Sequence, residues 1–246
     1  MSAELEKTFK QVQSNNSHEK MGKFAVLGAT GATGRQLLNL ALEQGHEIVA
    51  LCRNPSTLTV NHENLQAVQA DVNSSESMKA HFTGCDVIFS CLGRSGALAV
   101  REITFYSETI KCITQAMEES GVKRLVCMSS WCTDFRGRYP GSFFMEWILK
   151  PFMGLTIGRL LSDMARMEQY LMQRSQDTTC INYTVVRPPG LSNGPITDKK
   201  FFTEEGQYVT SVGYQSTYIS RADVARFMLA CLETQEYDKK IIAIAV

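Results

Sequence analysis

Short apolar runs alternate with amphipathic stretches from Gly22 to the end of the chain. Lys23–Leu27 (KFAVL) is an apolar run flanked by glycines, the pattern of a strand buried on both faces. After Gly28–Gly34, Leu37, Leu38, Ala41 and Leu42 recur at helical spacing up to Gln44, where Gly45 supplies a helix stop. Glu47–Cys52 (EIVALC) predicts a second strand, broken by Arg53-Asn54-Pro55. Further strands are expected at Leu65–Gln69, Asp86–Cys91, Arg124–Met128, Ile181–Val186 and Ile241–Val246. Helices are expected over Ser75–Phe82, Arg101–Ser120, Ser162–Arg174 and Ala222–Leu232. This alternation predicts an α/β protein, a doubly wound parallel sheet with helices on both faces. Residues 1–20 are polar and read as a flexible arm, so 21–246 form the expected single domain. Two stretches, 131–161 and 191–220, break the alternation and are expected to overhang the carboxyl edge of the sheet as a substrate lid region.

A length of 246 residues suits one large domain or two small ones. Lys+Arg and Asp+Glu are 25 each, so no excess positive charge is available to hold a phosphate polymer, which argues against nucleic acid. An apolar fraction of 44% with 20% charged residues is that of a globular chain with a sizeable core. The eight cysteines form no Cys-x-x-Cys pair and no cluster with metal-ligand spacing. Five lie in apolar runs and read as reduced, structural thiols, from which a cytoplasmic location is expected. The most apolar long stretch, Phe143–Leu161, is interrupted by Glu146, Lys150, Pro151 and Arg159 and does not read as a membrane span.

The strongest chemical signal is Gly28-Ala29-Thr30-Gly31-Ala32-Thr33-Gly34. Glycine at every third position lets a backbone turn tightly and approach a pyrophosphate, which rests on the N-terminus of the next helix. The motif follows a predicted strand and opens a predicted helix, the context that gives it meaning and makes the sheet Rossmann-type. A site for NAD usually places Asp or Glu at the end of the second strand to hold the ribose hydroxyls. Leu51-Cys52-Arg53 stands there instead, and the planar fork of Arg53 suits a 2′-phosphate, so NADP(H) is the expected cofactor.

GATGATG, the CRNP turn, Asp71-Val72 after the third strand, SCLG at 90–93, CMSS at 127–130 and VVRPPG at 185–190 together resemble the atypical short-chain dehydrogenases. Within them the chain is most similar to the flavin reductase/biliverdin reductase B branch and the NmrA-like group, and YISRADVARFMLACLETQEYDKK at 218–240 strengthens the first likeness. The resemblance covers about Gly22 to Lys240. It implies an NADP-binding domain with a shallow substrate cleft at the nicotinamide end. On that resemblance the cofactor-binding residues are Gly28, Thr30, Gly31, Ala32, Thr33, Gly34, Arg53, Asp71, Val72, Cys91, Leu92, Gly93, Ser129 and Pro188. Asp71 and Val72 would hold adenine, and the SCLG loop would line ribose and pyrophosphate. The chain departs from most short-chain dehydrogenases in having no Tyr-x-x-x-Lys pair, the device that lowers a tyrosine pKa for proton exchange. It departs from the reductase branch in carrying Gly190 where that branch has histidine and Ala32 where it has a polar residue.

Ser130, retained from that branch, is the expected catalytic residue, a hydroxyl able to bond the carboxamide or polarise a substrate oxygen. A loop-capping role suits it as well, and Ser129 competes for the same position. Trp131, Phe143, Phe144, Trp147, Ile148, Phe152 and Met153 load the segment 131–161 with apolar surface that suits a lid, a dimer face or core packing. Asp163 and Glu168, five apart on a predicted helix, read as solvated or salt-bridged rather than as a catalytic dyad. His18, His46, His62 and His81 read as surface residues. The expectation is therefore an NADPH-dependent reductase acting on a flavin-like or other conjugated small molecule, as a monomer or weak homodimer. The alternative is an NADP(H) sensor of the NmrA-like type that does not turn the nucleotide over.

Overall fold

The computed structural model describes residues 21–94, 102–139, 142–175, 181–212 and 217–246. The arm at 1–20, His18, Cys180 and Arg101 lie outside the described residues. Strands β1 (Lys23–Leu27), β2 (Glu47–Cys52), β3 (Leu65–Gln69), β4 (Val87–Ser90), β5 (Arg124–Met128), β6 (Asn182–Arg187) and β10 (Lys240–Ala245) pair in parallel. With β8 (Phe202–Glu204) added antiparallel along β10, the sheet has eight strands in the order β3-β2-β1-β4-β5-β6-β10-β8. The chain order reverses between β1 and β4, where Leu27 aligns with Leu51 on one side and Ser90 on the other. A crevice opens beyond the strand ends at such a switch point.

Helices α1 (Ala32–Glu43) and α5 (Arg221–Ala230) cover one face, over a core that includes Leu37, Leu38, Phe89 and Phe227. Helices α2 (Ser75–Phe82), α3 (Phe105–Ser120) and α4 (Lys150–Arg174) cover the other, over Phe82, Ile88, Ile110 and Leu161. Gly45 and Gly121 take φ of 86° and 78° just past α1 and α3, the left-handed conformation that ends a helix at little cost to glycine.

Three expectations need correction. The 191–220 stretch is not wholly irregular: it contributes β8 and, with Gly190, the paired strands β7 (Gly190–Ser192) and β9 (Tyr218–Ser220). Helix α4 begins at Lys150, not at 162, and a π-helical turn, Met145–Leu149, leads into it. Pro151 does not break it: a wide π-helical turn immediately precedes it, an irregularity that lets a helix absorb a residue without an N–H. Asp163 and Glu168 are both buried and ion-paired, with Arg166 at 3.2 Å and Arg187 at 2.6 Å, which is the salt-bridged alternative of their expectation. His46 is buried too, since its Nδ1 accepts the Gly22 amide at 3.1 Å and its ring packs 4.3 Å from that of Phe24.

Candidate functional site

A cleft of about 950 Å³ lies along the carboxyl edge of the sheet, across the switch point. Its floor is the turn between β1 and α1. Gly28 takes φ 76° and packs so closely on the next strand that a Cβ would stand 2.6 Å from the Cys91 carbonyl oxygen. A Cβ on Gly34 would stand 2.2 Å from the Gly28 carbonyl oxygen, so only glycine lets α1 start this close to the strand. Gly31 caps α1 without a side-chain hydrogen bond, and no carboxylate lies in the first turn. The first amides of a 12-residue helix therefore point at the cleft with a partial positive charge and no side-chain cap.

Most of the residues expected to hold cofactor come together here. Gly28, Thr30, Gly31, Ala32 and Thr33 line the floor, Arg53 and Val72 the β2–β3 side, and Cys91, Leu92, Gly93 and Ser129 the ends of β4 and β5. Gly34, Asp71, Pro188 and Ser130 do not line it. Gly34 lies beneath the turn. The Asp71 carboxylate accepts the Asn73 backbone amide at 2.9 Å and its side-chain amide at 3.0 Å, which fixes the turn after β3. Pro188 is buried, and its carbonyl accepts the Trp131 amide at 2.9 Å.

The two candidate hydroxyls after β5 are placed differently. Ser129, not Ser130, faces the cleft, and its Oγ donates to Glu168 Oε1 at 2.6 Å. Glu168 further accepts Thr133 Oγ1 at 2.8 Å and a bidentate pair from Arg187, Nε at 2.8 Å and Nη2 at 2.6 Å. A buried carboxylate is tolerable only when paired and bonded in this way. The network ties α4 to the ends of β5 and β6 directly behind Ser129.

Several lining residues carried no clear sequence signal. Tyr106 is buried in the first turn of α3, and its hydroxyl accepts the Arg94 amide at 3.2 Å. Burial raises the phenol pKa, only partly opposed by that amide, so the group stays protonated at neutral pH. Its proton is left for another acceptor, because a hydroxyl that accepts one bond can still donate one. Asp163 positions this tyrosine: from α4 its carboxylate accepts the Tyr106 amide at 2.7 Å and the Ser107 amide at 3.3 Å, doing for α3 what the uncapped Thr104 does not. This distant cap also explains why α3 begins at Phe105. Met128, Met164 and Leu191 add apolar surface on the β5–β6 side, and Arg94 and Arg221 join Arg53. Arg221 follows the Ser220 cap of α5, and nothing local in the sequence points it at a cleft. Among the described residues no Asp or Glu lines the space. The Cys52 and Cys91 thiols are pushed up by burial, Cys91 to about 12, so neither is a thiolate nucleophile. The aromatic wall expected from 131–161 is not among the lining residues. Trp131, Cys132 and Met145 instead form a small core with Tyr208 and Val209.

The family pattern described as NAD(P)H-binding matches residues 28–235, from the glycine turn to just beyond α5. The chain belongs to this NAD(P)H-binding family. Among relatives, an oxidoreductase of Pestalotiopsis microspora is 24% identical over 91% of this chain and 85% of its own. A Bacillus subtilis protein named as an uncharacterized sugar epimerase is 24% identical over 89% of this chain and 91% of its own. A short-chain dehydrogenase/reductase of Veillonella parvula, solved in complex with NADP, shares the fold with a TM-score of 0.69 at 17% identity, covering 92% of this chain and 94% of that one. For this NAD(P)H-binding chain the cleft fits a dinucleotide on its own chemistry: close-packed glycines, helix amides without a side-chain cap and, among the described residues, three lining arginines with no carboxylate to repel phosphate.

Proposed function

We propose that the chain is an NADPH-dependent reductase that passes hydride to a flavin-like or other conjugated small molecule. The observation that carries the reading is the single cleft in which the glycine turn and Arg53 adjoin an apolar, carboxylate-free end formed by Tyr106, Met128 and Met164. In this reading the α1 amides over Gly28–Thr33 hold the pyrophosphate, and the Arg53 fork takes the 2′-phosphate, selecting NADPH over NADH. Val72, with Asp71 shaping its turn, borders adenine. Cys91–Gly93 border the ribose, and Ser129, held by Glu168, offers its oxygen to the carboxamide. Pro188 anchors the loop behind it. Reduced nicotinamide supplies the hydride when bound. Tyr106 supplies the proton that the absent Tyr-x-x-x-Lys pair supplies elsewhere, and Ser130 is an accessory polar group. The strings SCLG and VVRPPG favour the flavin reductase/biliverdin reductase B branch within the family.

The test is NADPH oxidation, followed as loss of reduced-nicotinamide absorbance, against a panel of flavins, quinones, enals and a redox dye. Hydride transfer above the protein-free rate, faster with NADPH than with NADH, is the expected result. Tight NADPH binding with no transfer to any acceptor would replace this reading with that of a nucleotide sensor.

A further inference from the structure

Arg221 lines the cleft, and among the described residues no carboxylate pairs with its charge. It is the first residue of α5, directly after the Ser220 cap, where a cation opposes the helix dipole. The acid of that turn is already engaged: Asp223 accepts Ser220 Oγ at 2.8 Å and the Thr197 amide at 2.9 Å, and pairs with Arg226 at 3.3 Å. Arg221 instead donates from Nη1 to a neutral acceptor, Asn193 Oδ1, at 2.6 Å. The fold builds that bond. β7 and β9 pair in parallel with Ser192 opposite Ser220, so the residues that follow, Asn193 and Arg221, come side by side although 28 positions separate them. The guanidinium is therefore half-buried and pre-set at the cleft.

Its place in the sheet says which anion it meets. β2 runs parallel to β1 and β10 parallel to β6, so α1 and α5, which lead into β2 and β10, both begin at the carboxyl edge. The two helices pack against each other on one face, which sets the start of α5 beside the first turn of α1. The other two arginines stand elsewhere along the cleft. Arg53 follows β2, and Arg94 lies toward Tyr106, whose hydroxyl accepts its amide at 3.2 Å.

We propose that Arg221 binds the diphosphate of the nicotinamide dinucleotide, adding a full charge to the partial charges of the α1 amides. A group at the diphosphate serves NADPH and NADH alike, unlike one that reads the 2′-phosphate. The proposal needs only that the chain binds a dinucleotide, so it stands whether or not hydride passes to a flavin-like acceptor.

The test is calorimetric titration of the full chain with NADPH, NADH and ADP-ribose, which keeps the diphosphate and lacks nicotinamide. Arg221→Gln is expected to lower the affinity for all three by a similar factor, about tenfold. Without nucleotide this variant should unfold at the parent's temperature or slightly above it, because it loses a cation from a helix start. At one NADPH concentration its unfolding temperature should rise less than the parent's. Arg221→Lys keeps the charge without the fork and should fall between the two, which separates a lost contact from a damaged fold. Unchanged affinity for all three ligands overturns the proposal, and a rise in KM for FMN but not for riboflavin would then give the arginine to an anionic acceptor. A loss confined to NADPH would place Arg221 at the 2′-phosphate, and a loss that spares ADP-ribose would place it at the nicotinamide. Either result also overturns the assignment.

Discussion

The two walls of the cleft are built by opposite means. On the β1 side, seven consecutive residues, Gly28–Gly34, set the backbone path, and the cost of any side chain there is local and steric. On the β5–β6 side, one carboxylate on α4 gathers Ser129, Thr133 and Arg187, which stand 39, 35 and 19 residues from Glu168. The first wall belongs to a heptapeptide. The second exists only after three distant elements have packed. A glycine turn can therefore be read and altered by itself, whereas a change in the Glu168 network should be felt by the whole fold.

The sharpest way to break this contrast is Glu168→Leu. It leaves the Arg187 guanidinium buried without its carboxylate, and urea unfolding should show a loss of about 3–5 kcal/mol. Glu168→Leu/Arg187→Met should recover most of that loss, because desolvating neither charge is often as good as pairing both. A single variant as stable as the parent would show that the second wall does not hold the fold. Next in size is Tyr106→Phe, expected to lower turnover about 100-fold, or ~2.7 kcal/mol of barrier, with stability nearly kept. Rates measured against pH test the role, since a proton donor should alter the alkaline limb and a packing residue should not. Ser130→Ala, away from the cleft lining, should do less.

Arg53→Ala probes the first wall. Calorimetric titration should show NADPH binding weaker by about 1.5–3 kcal/mol, with NADH nearly unchanged and unfolding unaffected. Equal loss for both nucleotides would mean that Arg53 does not read the 2′-phosphate.

The smallest expected effect concerns Glu146. Burial works against its charge, but the Lys150 ammonium and the Tyr208 hydroxyl hold its carboxyl below the ordinary value of 4.5. A depressed folded-state pKa gives stability that is present above the unfolded value and lost as pH falls through the folded one. The stability difference between the parent and Glu146→Gln should therefore be level at neutral pH and shrink below about pH 4.5. A difference that does not change with acid would remove Glu146 from the charged groups that hold the α4 entry.

What the sequence determined by itself was the alternation of strands and helices, the turn at Gly28–Gly34 and the stops at Gly45 and Gly121. Lys23–Leu27, Glu47–Cys52, Leu65–Gln69 and Arg124–Met128 are strands with the bounds read from their apolar runs. These features follow from side-chain periodicity and glycine geometry, which act over a few adjacent residues. Only the tertiary structure decided what each charge does. Glu146 and Lys150 look in sequence like breaks in an apolar stretch. Folded, they pair inward, so α4 starts 12 residues earlier than the pattern predicts and its apolar side faces out. Asp163 and Glu168 read in sequence as solvated or salt-bridged; folded, both are buried and paired, one also capping α3 and the other binding Arg187. Tyr106 enters the cleft because Asp163 holds its helix there. A carboxylate is solvated or buried according to partners far along the chain, and local pattern does not record who those partners are.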